Sequence, residues 1–433
     1  MTPYFRLLNA LIAQIEKEYK EYQGQIKWVD YYYQAEAESR KDSLLKQMDS
    51  KVLWSFQNTK PYLNHLSKGC SICGQGLWSC LFITNHCNAS CFYCPAKQDY
   101  DALPGTQNLD FNSSEDYVDY LLKFGFKGAS ISGGEPLLYF DRTLEYVKKI
   151  RQNLPDDFYI WLYTNGILAD ELKLKLLADA GLNEIRFDIG AKAYKLDNVR
   201  KAKGVIPVVS IEIPAVPEKV ELLKELLPKM IDAGVSNLHF HQLRLTKHNA
   251  PKLLAHKYTF LHGEKAVVLE SELAALEIML FAVQNNIPIG INYCNFQYKN
   301  RFQSAGFRKM LAELYRQNNE EITENGYLRS IFVDMHDMRR LISSDELKMN
   351  RNLYSSVELC YRAVKLKKMI YSSSRALPEH ESAIKLGNLI LEANEIDEFL
   401  AIVDQKNISI PDDEKLFAIW QMESIEREWR QYF

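Results

Sequence analysis

The stretch 81-LFITNHCNASCFYCPA-96 decides how this chain is read, because an apolar run opens directly into Cys87, Cys91 and Cys94. Residues 81–86 read as a short buried strand. The spacing that follows, C-x3-C-x2-C, supplies three thiolates from a single loop and leaves the fourth corner of a tetrahedron open. Zinc sites mostly draw on C-x2-C pairs, two plus two, in closed tetrahedra. An iron–sulfur cluster ordinarily takes four cysteines, so three from one loop suit a cube with one iron left free. A structural zinc and a group of buried thiols are the plainer alternatives at this point.

Outward from that loop, residues 81–245 alternate between strands and helices. After the first strand, Ser113 and Asp116 give an S-x-x-D helix start, and the helix runs to Gly125. GASIS (128–132), FYIWLYT (158–164), EIRFDIG (184–190), VVSIEIP (208–214) and NLHFHQL (237–243) complete six strands. They are short and continuously apolar with helices between, as in a parallel sheet covered on its faces. One helix, over 218–233, is expected to bend at Pro228. Six β/α units rather than eight predict an α/β fold, a partial (β/α)6 barrel open on one side. Active sites of such sheets form where strands end, and Cys87 stands there.

The flanks divide the chain further. Residues 1–66 read as a helical N-terminal extension, with Leu7, Leu8, Leu11, Ile12 and Ile15 on one face. Residues 67–245 form the barrel core with a cysteine-rich lead-in. A helix over 271–286 and a strand IGINYC (289–294) place a barrel-closing segment at 246–300. Residues 301–433 read as mainly helical, with helices near 301–317, 381–403 and 413–430 and strands in the stretch YSSVELCYRAVKLKKMIYSSS.

The chain has 433 residues, 47% hydrophobic and 25% charged, and 53 basic against 56 acidic side chains give a net charge of −3. That balance argues against a nucleic-acid-coating protein. No apolar run approaches the roughly 20 residues of a membrane span, and the N-terminus lacks a small-residue cleavage site. A cytoplasmic setting follows as the expectation. Six of the eight cysteines fall between 70 and 94, and in a reducing compartment these are metal ligands or buried thiols rather than disulfides.

Two further motifs stand at strand ends. The second strand closes in 132-SGGEP-136, where Gly133 and Gly134 allow close backbone approach and Glu135 brings an acceptor for an ammonium group. The third closes in 163-YTNG-166. Together with C87-x3-C91-x-Tyr93-C94, these resemble the radical S-adenosylmethionine (radical SAM) superfamily. The lead-in 69-GCSICGQGLWSCLFITNHC-87 resembles a group related to pyruvate formate-lyase activating enzymes.

The resemblance implies that Cys87, Cys91 and Cys94 bind a 4Fe–4S cluster and that S-adenosylmethionine chelates the free iron. It implies Tyr93 against the adenine, Gly133, Gly134 and Glu135 at the methionine ammonium, and Thr164 and Asn165 as further contacts. The implied reaction is reductive cleavage to a 5′-deoxyadenosyl radical that takes hydrogen from a peptide, protein or small metabolite. A small electron donor such as flavodoxin or ferredoxin is the implied partner. Asp188 and Glu212 lie near later strand ends and can reach a ribose or form structural salt bridges.

A second metal site (Fe–S, single iron or zinc) is open at Cys70, Cys73 and Cys294, against the plainer reading of buried thiols; Cys360 reads as a core thiol. The basic, aromatic segment 297-QYKNRFQSAGFRK-309 is either a rim for an anionic substrate or a solvated helix start. Of His239 and His241 on the sixth strand, only one is expected to reach the barrel interior.

Overall fold

The computed structural model describes residues 3–335, 338–341, 356–373, 383–392, 395 and 414–427. It falls into two units, one of Leu8–Lys299 with Lys368–Arg375, the other of Met1–Leu7, Asn300–Lys367 and Ala376–Phe433.

The larger unit is built on seven parallel strands that neighbour one another in chain order. They are β1 (Trp78–Phe82), β2 (Gly128–Ser132), β3 (Tyr159–Thr164), β4 (Glu184–Phe187), β5 (Val208–Pro214), β6 (Asn237–His241) and β7 (Gly290–Cys294). All six expected strands are present, and IGINYC adds a seventh on the far side of β6. Helices α1 (Ser114–Lys123), α2 (Phe140–Asn153), α3 (Glu171–Asp179), α4 (Asp197–Ala202), α5 (Val220–Asp232) and α6 (Leu269–Gln284) connect them. Ser113 caps α1 by accepting from the Asp116 N–H at 3.2 Å, so the S-x-x-D signal marks a true helix start. Helix α5 continues through Pro228.

The strands are not apolar on both faces. Ile131, Leu162, Ile185, Ile211, Leu238 and Ile291 are fully buried on one face, where the helices pack. Burying each such side chain is worth about 1.5–3 kcal/mol. The other face carries Ser130, Tyr163, Arg186, Glu212, His239 and Asn292, and so presents a polar interior. Residues two apart on a strand share a face, so His239 and His241 both point inward; the expectation of only one misjudged that period.

Short strands border the barrel on both sides. Lys60–Leu63 runs antiparallel to β7 and pairs in turn with Leu53–Ser55, so the N-terminal extension is not wholly helical. Before that hairpin come helices Pro3–Glu18 and Tyr31–Met48, as expected. Beyond β1 lie Gly105–Thr106, Leu109–Phe111 and finally Met369–Tyr371.

The smaller unit corrects the expectation of a mainly helical C-terminal region. Its described residues hold a five-stranded antiparallel sheet with helices Ser304–Tyr315 and Glu414–Arg427. The helix expected at 381–403 is a strand over Ala383–Glu392, and residues beyond it, Glu395 apart, lie outside the described ones. Its partner is Ser356–Val364, with a register shift at Tyr361/Arg362. Non-local pairing overrides the local spacing there. Among the described residues no helix is long and apolar enough to cross a membrane.

Candidate active site

Strand β1 stops at Phe82, earlier than expected, and the chain then forms a narrow neck. Asn85 and His86 pair antiparallel with Tyr100 and Asp99. The Cys87 N–H donates to the Gln98 carbonyl at 3.1 Å, closing the base of a loop that carries all three cysteines. Inside it the Cys94 N–H donates to the Cys91 carbonyl at 3.2 Å, so the C-x2-C part is a tight turn. Asn249 and Lys252 donate to the Tyr93 and Ser90 carbonyls at 3.3 and 3.4 Å and pin the outer side.

The two glycines after β2 lie directly on this neck. A Cβ on Gly134 would sit 2.0 Å from the His86 carbonyl oxygen, and one on Gly133 would sit 2.3 Å from that of Thr84. Gly133 also has φ of +116°, a conformation side chains rarely adopt. The close approach is therefore first of all between two backbones. The Gly134 N–H donates to Thr84 and the Glu135 N–H to His86, both at 2.8 Å.

Glu135 differs from the sequence expectation. Its carboxylate is fully buried and already accepts from the Leu137 N–H at 2.9 Å, the Thr164 hydroxyl at 2.7 Å and the Asn165 N–H at 2.7 Å. It ties the end of β2 to the end of β3 rather than facing a ligand. Asn165 extends the tie, donating from Nδ2 to Asn88 Oδ1 at 2.7 Å within the cysteine loop. Thr164 and Asn165 thus hold the loop from below.

Above these ties is a cavity of about 330 Å3. Cys87, Cys91, Cys94, Tyr93, Gly133 and Gly134 line one side of it. Thr164, Asn165, Asp188, Glu212 and His241 line the rest, so the motifs separated in sequence converge on one space. The Tyr93 hydroxyl donates to both oxygens of Asp188, at 2.9 and 3.1 Å. Burial pushes the Asp188 carboxyl up to about 6, although Tyr93 and the Gly190 N–H favour its ionised form.

Burial also raises all three thiols, and Asp188 helps push Cys91 up to about 11. Thiols that are buried, acceptor-only once ionised and set beside carboxylates need a cation to become thiolates. The donor set therefore fits a metal cluster that brings its own positive charge.

Below the cavity the interior is a connected ionic network. Arg186 bonds Glu184 at 2.9 Å and Glu212 at 2.8 Å, and His239 Nε2 lies 3.5 Å from Glu184. Burial alone would raise Glu184, but Arg186 and His239 hold it down at about 2. Glu212, one of the two carboxylates weighed from sequence, is thus salt-bridged.

The second group of thiols converges as well, on a lysine. Lys60 is fully buried, 3.1 Å from Cys294 Sγ and 4.3 Å from the centroid of the Tyr298 ring. Cys70 lies 3.6 Å from His239 Nδ1, and the Tyr298 hydroxyl lies 3.8 Å from Cys73 Sγ. Burial opposes ionisation of Cys70, yet His239, Lys60 and Arg186 lower it below the usual thiol range. Cys73 is pushed up by burial to about 12. Here the protein supplies its own countercharge, and a metal would first have to displace Lys60. Cys70, Cys73 and Cys294, the second metal site considered from sequence, thus surround one buried lysine. No sequence signal marked Lys60, which sits in a four-residue strand between Leu53–Ser55 and β7.

Comparison with known proteins matches residues 81–204 to the Radical SAM superfamily. A Methanocaldococcus jannaschii protein named "Putative glycyl-radical enzyme activating enzyme" is 27% identical over 303 residues, 65% of this chain and 79% of that protein. The GTP 3′,8-cyclase of Aquifex aeolicus is 34% identical over 163 residues, 36% of this chain, and the chain spans only about half (49%) of that enzyme. Among solved structures, Streptococcus suis SuiB bound to S-adenosylmethionine aligns over 54% of each chain at 13% identity and a TM-score of 0.40. Nothing further rests on that likeness. The cysteine loop and the double-glycine edge both lie within residues 81–204, the segment similar to the Radical SAM superfamily, and both line one cavity.

Proposed function

We propose that Cys87, Cys91 and Cys94 hold a 4Fe–4S cluster with S-adenosylmethionine in the adjoining cavity, and that the enzyme takes hydrogen from a peptide, protein or small-metabolite substrate. The observation that carries this reading is the set of three thiols from one loop lining, with Gly133, Gly134 and Asp188, one cavity. Held by Cys87, Cys91 and Cys94, such a cluster would supply the one-electron reduction that cleaves S-adenosylmethionine and so the radical that would take hydrogen from the substrate.

The chain's own residues bind and orient. The exposed backbone edge of Gly133 and Gly134 is free of side chains where an amino-acid group is to lie. Tyr93, fixed by Asp188, gives a flat wall for the adenine. Asp188 is an acceptor within reach of hydroxyl groups in the cavity. The similarity to an activating enzyme supports a macromolecular substrate and a small electron-donor protein such as flavodoxin or ferredoxin as partners.

The test is anaerobic reconstitution with iron and sulfide, followed by dithionite and S-adenosylmethionine, with 5′-deoxyadenosine read by mass spectrometry. Formation by the native chain and not by Cys91→Ser is expected. A chain that takes up zinc instead, and forms no nucleoside, overturns the reading.

A further inference from the structure

Several cations of the larger unit have an anion: Arg186 has Glu184 and Glu212, Arg142 has Asp101, and Lys41 has Glu272. Arg244 and Lys299 stand apart. Arg244 follows β6 and Lys299 follows β7, and both half-buried cations lie against the ring of Phe296, at 5.2 and 5.1 Å from its centroid. Among the described residues neither makes a salt bridge. Phe296 is itself fixed, its N–H donating to Gln242 Oε1 at 3.1 Å.

This pair stands at the C-terminal ends of β6 and β7, the end of the sheet where the cysteine loop lies. His241, which lines the cavity, is in register with Cys294 and faces the same two cations. Burial pulls both cations down, and each lowers the other's neighbours: His241 is driven to about 3 by burial and by Lys299, with Arg244 adding to it. Glu212 and Cys294 act on Lys299 from a distance, but two cations withdrawn from water, near one another and without a salt bridge among the described residues, are held in an arrangement that an anionic ligand relieves. Aromatic contact offsets part of the desolvation but supplies no charge.

We propose that Arg244 and Lys299 bind an anionic group of the substrate, a carboxylate or a phosphate, beside His241 at the ends of β6 and β7. The neutral His241 ring adds a hydrogen-bonding partner next to the anion. The basic, aromatic segment after Cys294 thus contributes Lys299 to the site instead of forming only a solvated helix start. This inference rests on the cavity being the place of radical chemistry and adds the class of substrate.

The experiment is calorimetric titration of the full, reconstituted chain with inorganic phosphate and, separately, with glutarate at low salt. Saturable binding of one probe is expected, weakened at least tenfold in Arg244→Gln and in Lys299→Gln. Lys299→Arg, which keeps the charge, retains binding. Binding of phosphate alone assigns a phosphate, and of glutarate alone a carboxylate. Iron content and thermal midpoint identify any variant that has failed to fold.

No binding of either probe by the native chain, or native-like binding by both glutamine variants, overturns the inference. A native chain that binds a probe yet forms no 5′-deoxyadenosine refutes the radical reading and leaves the anion site standing. The reverse pattern refutes the anion site alone.

Discussion

Replacing Glu135 by Gln exchanges one carboxylate oxygen for an amide NH2 in a space with no room for a change of partner. Oε1 keeps the Leu137 N–H and the Thr164 hydroxyl, but the group at Oε2 now meets the Asn165 N–H donor to donor. Losing that bond and stranding a buried N–H costs about 1–3 kcal/mol. Removing a buried charge returns part of it, and a net loss of about 2 kcal/mol is expected, or roughly 3 °C in Tm for a unit of this size. The carboxyl is raised by burial, so its contribution is largest below the unfolded pKa of Glu and declines as pH rises through the folded value. The variant loses that slope.

The assay is urea unfolding followed by tryptophan fluorescence, since Trp78 and Trp161 stack at 5.8 Å inside this unit. It is run without ligand and then with S-adenosylmethionine. A variant that unfolds like the native chain but binds S-adenosylmethionine more weakly refutes the structural tie and returns Glu135 to the ligand, as its motif alone had indicated.

Tyr93→Phe removes the donor to Asp188 and is expected to cost about 1–2 kcal/mol, more near pH 7 than near pH 5, because the carboxyl, already up at about 6, rises further. An equal cost at both pH values argues against that hydrogen bond. His241→Gln is expected to resist acid unfolding: the native ring is held near 3, so stability present above the ordinary His pKa drains away as pH falls below it. A variant with the native acid profile removes His241 as the cause. Reconstituted protein is expected to hold about four irons per chain. A count near eight assigns a second cluster to Cys70, Cys73 and Cys294 and overturns the role given to Lys60.

Much of the larger unit was legible because its strands are bounded by turn residues and its helices by caps. GASIS and VVSIEIP are strands with the expected limits. The convergence of Cys87–Cys94, Gly133–Gly134 and Thr164–Asn165 was legible for a topological reason: all three follow parallel strands and so share one end of the sheet. What local pattern did not carry is what depends on partners. Strands of two to four residues have no periodicity to detect. Ala383–Glu392 has apolar residues at both spacings, and only its pairing with Ser356–Val364 selects the strand. EIRFDIG was read with the other strands as continuously apolar, whereas its Glu184 and Arg186 anchor a buried ion network. Glu135 was read as an acceptor for an ammonium group, and the sequence alone does not show that the Asn165 N–H donates to it.

The outermost strand beside β1 has a consequence for how the molecule is made. Met369–Tyr371 pairs with Leu109–Phe111, so the edge on the β1 side of the sheet is completed by residues translated almost three hundred positions after Trp78, where β1 starts. The ribosome has by then produced the whole of Asn300–Lys367, which belongs to the other unit. A nascent chain carrying the cysteine loop is thus left with an open edge for the longest part of its synthesis, the condition in which strands pair with strangers. Pairing at so large a sequence separation is also slow. Iron loading that waits for the released chain, and chaperone dependence confined to that interval, are the cellular signatures this topology implies.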